Sequence, residues 1–323
     1  MLGWLRSVTI AGACMMLAAA GAHAQTRVTL KSATAGSSYY MMTVQLGEVL
    51  RAATNGAITA TVEESQGSVQ NVREAPRRPG NYVFTSPPGL VRDAQAAREP
   101  FRADPGYADI RALFVMPPIT MHFVVRADTG IASIPDLAGR SFVAGGRGTF
   151  TERETLTLFR LLGLEGRVRV VDIELNAAVA AMHNRQIDGF ATGSTHPTSQ
   201  VQELAATMGI RLLSLTPQQI ASVVAADATV SPVTIAAGTY PNQAADVATF
   251  GLAVGAYATT RIDEQVAYEI ARIFWARAGE LARQNAWWGA VAPAQVAGLG
   301  IRLHPGAARY YAEAGVAIPP ELR

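Results

Sequence analysis

The chain has 323 residues, 16% of them charged, with a formal net charge of +2. A balance this close to neutral argues against nucleic acid or a membrane surface as the main partner, and the length is enough for two domains with cores of their own. The one cysteine, Cys14, excludes a disulfide framework within the chain and any metal site built on cysteines.

Residues 1–24 read as a secretory signal peptide rather than as part of the fold. Arg6 supplies the positive start, Val8 to Ala20 is apolar, and Ala22-His23-Ala24 is a small-residue cleavage site. Cleavage after Ala24 would leave a mature, periplasmic chain that starts at Gln25 and has no cysteine. The apolar run is too short for a spanning helix. A lipoprotein start at Cys14 is the alternative, but Ala11-Gly12-Ala13 lacks the usual leucine.

Val28 to Lys31 reads as a strand, followed by the small-residue loop Ala33 to Ser38. Tyr39, Met42, Leu46, Val49 and Leu50 then share one helix face. Ile58 to Glu64 alternates apolar and polar residues as a strand does. Gln66-Gly67-Ser68 follows, with Ser68 placed to cap a helix that Pro76 and Pro79 end. Tyr82-Val83-Phe84 is a short strand, Thr85-Ser86-Pro87-Pro88 a polar turn, and residues 89–99 a helix. Ile110–Val115 and Met121–Arg126 read as two strands. Ser133 caps a short helix, and Ser141–Ala144 is a strand. It runs into Gly145-Gly146-Arg147-Gly148-Thr149 and a helix from Phe150 to Leu162.

The pattern continues with a strand at 168–173 and a helix at 177–184. The strand Gly189–Thr192 leads into Gly193-Ser194-Thr195-His196-Pro197 and a helix at 198–208. Arg211–Ser214 is a strand, Pro232–Pro241 is extended, and Phe250–Tyr257 is a strand broken by glycines. A long amphipathic helix covers 263–283, and a short one follows His304-Pro305. Trp275, Trp287 and Trp288 are expected to pack the core.

Strands alternating with helices give an α/β class with largely parallel sheets, in which ligands bind beyond the C-terminal strand ends. Four Gly/Ser/Thr loops sit at such ends, two before Met121 and two after. Each feeds a helix start, whose free N–H groups and dipole favour an anion. The candidate ligand residues are Gly36, Ser37, Ser38 and Tyr39 in the first loop and Gly67 and Ser68 in the second. Thr85 and Ser86 follow a strand end. Arg147, Gly148 and Thr149 form the third loop, and Gly193 and His196 belong to the fourth. Arg147 is the sharpest of them, because a guanidinium can clamp a carboxylate with two hydrogen bonds. Its plain alternative is a surface arginine paired with Glu152 or Glu154. Thr149 can serve as ligand donor and helix cap together. His196 can donate to a ligand oxygen, while His122 is expected to pack in its strand.

No metal site is expected, since His183 and His304 are isolated and no H-E-x-x-H occurs. No cofactor and no catalytic residue are expected either. G-x-S-x-G and G-x-x-x-x-G-K-[ST] are both missing, and no carboxylate pair suits acid–base work.

GSSYY, ESQGSVQNVR, HFVVRADTGIASIPDLAGRSFVAGGRGTFTE, QIDGF, IAAGTYPNQ and LHPGAARYY follow one another in this order. As an ordered set they resemble the TAXI family, the extracytoplasmic solute receptors of TRAP-type transporters. The resemblance spans nearly the whole mature chain. It implies a type II periplasmic binding protein fold with two α/β lobes joined by two crossing hinge strands, near Met121–Arg126 and Phe250–Thr259. Residues 25–121 and 256–323 would form one lobe and 122–255 the other. It also implies a monomer that hands a small organic anion, glutamate-like, glutamine-like or another carboxylate, to the transporter's membrane subunits. A sensor that docks on a membrane kinase, or an enzyme on the same scaffold, are the alternatives. The chain departs from the family pattern where Gly146-Arg147-Gly148-Thr149 replaces Gly-Ser-Gly-Thr and where Thr85-Ser86-Pro87 replaces Gln-Ser-Asp. The stretch Glu74 to Gly80 is also unusual, and these departures fall in or beside the expected ligand loops.

Overall fold

A computed structural model describes residues 25–227 and 229–323. The expected signal peptide, its cleavage site and Cys14 lie outside the described residues. No helix among the described residues is long and apolar enough to cross a membrane.

The first part of the chain forms β1 (Thr26–Lys31), α1 (Ser38–Ala53), β2 (Ile58–Glu63), α2 (Ser68–Glu74), β3 (Tyr82–Ser86) and α3 (Pro88–Gln95). The long strand β4 (Ile110–Arg126) follows. Next come β5 (Ser141–Val143), α4 (Phe150–Leu161), β6 (Arg169–Val170), α5 (Ala178–His183), β7 (Gly189–Ser194), α6 (Ser199–Thr207) and β8 (Ile210–Leu212). The chain then makes α7 (Pro217–Ala226), β9 (Val230–Ile235), the second long strand β10 (Val247–Thr259), α8 (Glu264–Gln284) and α9 (Pro305–Glu313).

The strands form two sets of like order that share the two long strands. The first set runs β2-β1-β3-β10-β4, and the second runs β6-β5-β7-β4-β8, with β9 on the outer part of β10. The flanking trios are parallel, while β4 and β10 pair antiparallel with each other and with the other strands named. Residues 110–120 of β4 pair with β10 in the first set, and residues 120–126 pair with β7 and β8 in the second. The two sets thus meet at Thr120, which faces Gly251 on one side and Ser194 on the other.

β4 is one strand where the sequence suggests two. Pro117 and Pro118 suggest a break, because proline removes a ladder donor. They fall where the pairing with β10 shifts register, between Met116↔Val254 and Ile119↔Leu252, so no donor is missed there.

Other boundaries also differ from expectation. Thr85 and Ser86 belong to β3, and Gly193 and Ser194 to β7, because both pairs continue a ladder with a long strand. Ser68 is the first residue of α2 rather than its cap. α7 was not anticipated, although Thr216 and Gln219 form a reciprocal capping box around Pro217.

The core is mainly aliphatic and aromatic side chains from both faces of the sheet, with Phe114 stacked on Phe274 at 4.1 Å between centroids. Trp288 is buried and donates to Gln45 Oε1 at 2.9 Å, while Trp275 and Trp287 pack on the core's edge. A smaller cluster around Val124, Met182, Phe190, Leu204 and Tyr240 supports α5 and α6 in the second set. The unusual stretch from Glu74 to Gly80 lies away from the cavity described below. Glu74 and Arg78 join Glu63 and the only lysine, Lys31, in a network with contacts such as Lys31 Nζ–Glu74 Oε2 at 2.9 Å. This network holds the Glu74 carboxyl down at about 2: Lys31, Gln70 and Arg78 outweigh the opposing effect of its burial.

Candidate ligand-binding cavity

A cavity of about 470 Å³ opens between the two strand sets, and four helix starts reach it. α1 brings Gly36, Ser37 and Tyr39; α2 brings Gly67 and Ser68; α4 brings Thr149 to Thr151; α6 brings Thr198 to Gln200. Ile119 of β4 and Val254 of β10 form the floor. Each helix follows a strand through a short loop, so its first-turn N–H groups turn toward the strand ends.

The four starts are not equivalent. In α1 the Ser37 hydroxyl accepts from the Tyr40 N–H at 3.2 Å. In α4 the Thr149 hydroxyl accepts from the Glu152 N–H at 3.0 Å. α2 and α6 have no side-chain cap among the described residues. One of these open starts comes from each strand set. Gly145 shapes the loop before α4: its φ is +124°, and a Cβ would sit 2.5 Å from Thr151.

Of the residues singled out in the sequence, Gly36, Ser37, Tyr39, Gly67, Ser68, Thr85, Thr149 and Gly193 line the cavity. Ser38, Ser86, Arg147, Gly148 and His196 do not. Ser38 is buried, and its hydroxyl donates to the Thr195 carbonyl at 2.9 Å. The Ser86 hydroxyl donates to the Pro87 carbonyl. The Gly148 N–H donates to Glu152 Oε2 at 2.6 Å. Arg147 keeps its side chain 76% exposed and pairs with Asp172, with Nε donating to Oδ1 at 3.0 Å. The surface reading of Arg147 is thus the one that matches its place, although the partner is neither Glu152 nor Glu154.

His196 is half-buried, and its Nδ1 lies 2.8 Å from the Thr120 hydroxyl. Burial pulls its pKa down. His122 is fully buried in β4, where burial above all, and then His196, pulls its pKa down to about 4. It is therefore neutral at pH 7. Its Nδ1 faces the Thr120 and Thr192 carbonyls at 3.0 and 3.3 Å, so that nitrogen carries the proton. Nε2 then accepts from the Tyr240 hydroxyl at 2.8 Å, and that hydroxyl accepts from the Thr198 N–H at 3.0 Å. The chain of bonds fixes the cap residue of α6 to the crossing strand.

Sequence reasoning did not place α5 or the body of α6 at the cavity. Leu175, Asn176, Val179, Ala180 and His183 line one wall, and Glu203 stands beside them. Nothing in their residue types marks them, because leucine and valine at helical spacing read as core. Ser32 and Asn71 hold the opposite wall together. The Ser32 and Thr85 hydroxyls are 2.6 Å apart, and the Asn71 amide donates to both backbone carbonyls. No cluster of three metal-ligating side chains occurs among the described residues.

A model of the NMT1-like family matches residues 30–315. The chain belongs to the NMT1-like family. In fold, this NMT1-like protein is similar to the periplasmic binding protein BugD, at 14% identity and a TM-score of 0.56, covering 91% of this chain and 99% of that one. MatC from Rhodopseudomonas palustris with bound malate is similar at 13% identity and a TM-score of 0.56, covering 88% and 97%. A second R. palustris protein, with adipate, is similar at 16% identity and a TM-score of 0.55, covering 91% and 99%. These likenesses show the fold of periplasmic binding proteins. The type II reading agrees with it, in two α/β strand sets sharing two long strands.

Proposed function

We propose that this NMT1-like protein is an exported solute receptor that binds a small organic anion between two lobes. The observation that carries the reading is the pair of open helix starts, α2 and α6, which come from opposite strand sets to one cavity. Their N–H groups have no intrahelical acceptor and carry the positive end of each dipole, so an anion between them bridges the two sets. Gly36, Ser37, Tyr39, Gly67, Ser68, Thr85, Thr149 and Gly193 are the contacts proposed from both sequence and cavity, with Ser199 added from α6. The helix starts and the hydroxyls of the lining present hydrogen-bond donors, which suits binding of an anion.

The lobes we assign are residues 25–121 with 256–323, and 122–255. Bending at the crossing of β4 and β10 would close them on the ligand. The resemblance to TAXI receptors supports delivery of the anion to TRAP-type membrane subunits by a monomer in the periplasm. Native mass spectrometry of the protein purified without refolding tests the reading. A co-purified carboxylate that calorimetry shows to rebind supports it. Ligand-free protein that binds no carboxylate would remove it.

A further inference from the structure

We propose that the cavity selects a monocarboxylate with an apolar body, such as an aryl or branched-alkyl acid, over dicarboxylates. The inference rests on the anion-receptor reading above. Its observation is separate: Leu175 and Val179, with Ile119 and Val254, give the cavity an apolar side next to Asn176 and His183, and no lysine or arginine lines it among the described residues.

That side begins at Leu175, in the turn before α5. Leu175 and Val179 are four residues apart, on one face of the helical stretch. Both pack one side against the small core of the second strand set and turn the other to the cavity. Leu175 is held there from two directions. Its carbonyl accepts from Gln200 Nε2 at 2.9 Å, and its backbone lies against Gly146. With Ile119 and Val254 on the floor, the cavity offers an apolar surface continuous with the donor end. Its volume of about 470 Å³ falls in the range of roughly 300–1,000 Å³ typical of sites for drug-sized ligands. An aryl or branched-alkyl tail would remove this surface from water, which favours binding.

Charge points the same way. Among the described residues no lysine or arginine lines the cavity, and the ionisable lining groups of α5 and α6 are His183 and Glu203. His183 is tied through Nε2 to the Thr207 hydroxyl at 3.1 Å. A ligand's first carboxylate can sit at the helix starts, but a second one placed along the body of α6, past its first turn, would approach Glu203 with no lysine or arginine among the described lining residues to offset it. A neutral, apolar tail meets no such cost.

Titration calorimetry on the mature chain tests this with four probes: phenylacetate, 4-methylpentanoate, succinate and L-glutamate. The expected result is at least about tenfold tighter binding of the first two. Val179→Asp should weaken those two about tenfold, and Glu203→Gln should tighten succinate alone. Should Val179→Asp fail to fold, Val179→Asn replaces it with the same expected direction. Succinate or L-glutamate binding as tightly as phenylacetate would overturn the selectivity while leaving the anion-receptor reading in place. Folded protein that binds none of the four would overturn both.

Discussion

The Ser38 hydroxyl, at the first turn of α1, donates to the Thr195 carbonyl just beyond β7 at 2.9 Å. Both residues are buried, and the bond joins the two strand sets beside the point where Thr120 meets Ser194. The Ser38 N–H adds a contact to the Ser194 hydroxyl at 3.3 Å. The Ser194 hydroxyl and the Thr195 carbonyl thus tie the start of α1 to the second strand set near the crossing strands.

Ser38→Ala should therefore act on the relation between the strand sets. Losing one buried hydrogen bond costs about 1 kcal/mol, which for a chain of this size is a drop of roughly 2 °C in melting temperature. The radius of gyration without ligand should rise. Scanning calorimetry and small-angle scattering that match the unsubstituted protein would show that this bond carries no weight.

Arg147 gives the opposite expectation. Its side chain is exposed and already paired with Asp172, and exposed pairs contribute little. Arg147→Ala should leave carboxylate affinity within about twofold and stability within about 0.5 kcal/mol. Thr149→Ala, two residues on, should cost about 1 kcal/mol, because its hydroxyl caps α4. A ten- to hundredfold loss of affinity in Arg147→Ala would mean that the guanidinium leaves Asp172 when ligand binds.

What the sequence revealed and what it hid have physical causes. A strand, a run of small residues and a hydroxyl at a helix start are local features, so the loops at Ser37, Gly67 and Thr149 were legible. The fate of Arg147 was not, because Asp172 lies 25 residues away and only the fold brings the two together. Pro117 and Pro118 concealed the continuity of β4, since a register shift that spares their missing donors leaves no local trace. Leu175 and Val179 have the spacing of core residues, and half of each side chain is indeed core; that the other half faces a cavity depends on where α6 packs.

Glycine in a crossing strand suggests backbone freedom at a hinge, but the neighbours of Gly251 give a different reason for it. A Cβ there would lie 2.5 Å from the Ile119 carbonyl oxygen and 2.7 Å from Val233. Gly251 is thus a close-approach position in the β4–β10 pairing, while Gly255 is crowded by Tyr257 of its own strand and by Leu299. Gly251→Ala should destabilise the fold by about 1–3 kcal/mol through overpacking, with a lower urea midpoint at unchanged slope. An unchanged midpoint would return Gly251 to the role of a flexible link.

Glu154 makes stability depend on pH in a window that includes neutrality. It lies in a second cavity of about 320 Å³ between α3 and α4, where Asp93 pairs with Arg153 at 3.0 Å. Burial, and after it the charge of Asp227, pushes its carboxyl up from the usual 4.5 to about 7. Arg153 pulls the other way and Asp93 adds to the rise. Because the folded value is raised, the folded protein holds this proton more tightly than the unfolded chain does. Stability from this group is thus greatest below about pH 4.5, falls as pH rises, and levels off above about 7. The full difference is on the order of 3 kcal/mol. Glu154→Gln keeps the shape without the charge, so it should stabilise the protein at pH 8 and change little at pH 4.5. Urea unfolding at both values checks the sign. Equal effects of Glu154→Gln at the two pH values would place the carboxylate in water and remove it from the cavity.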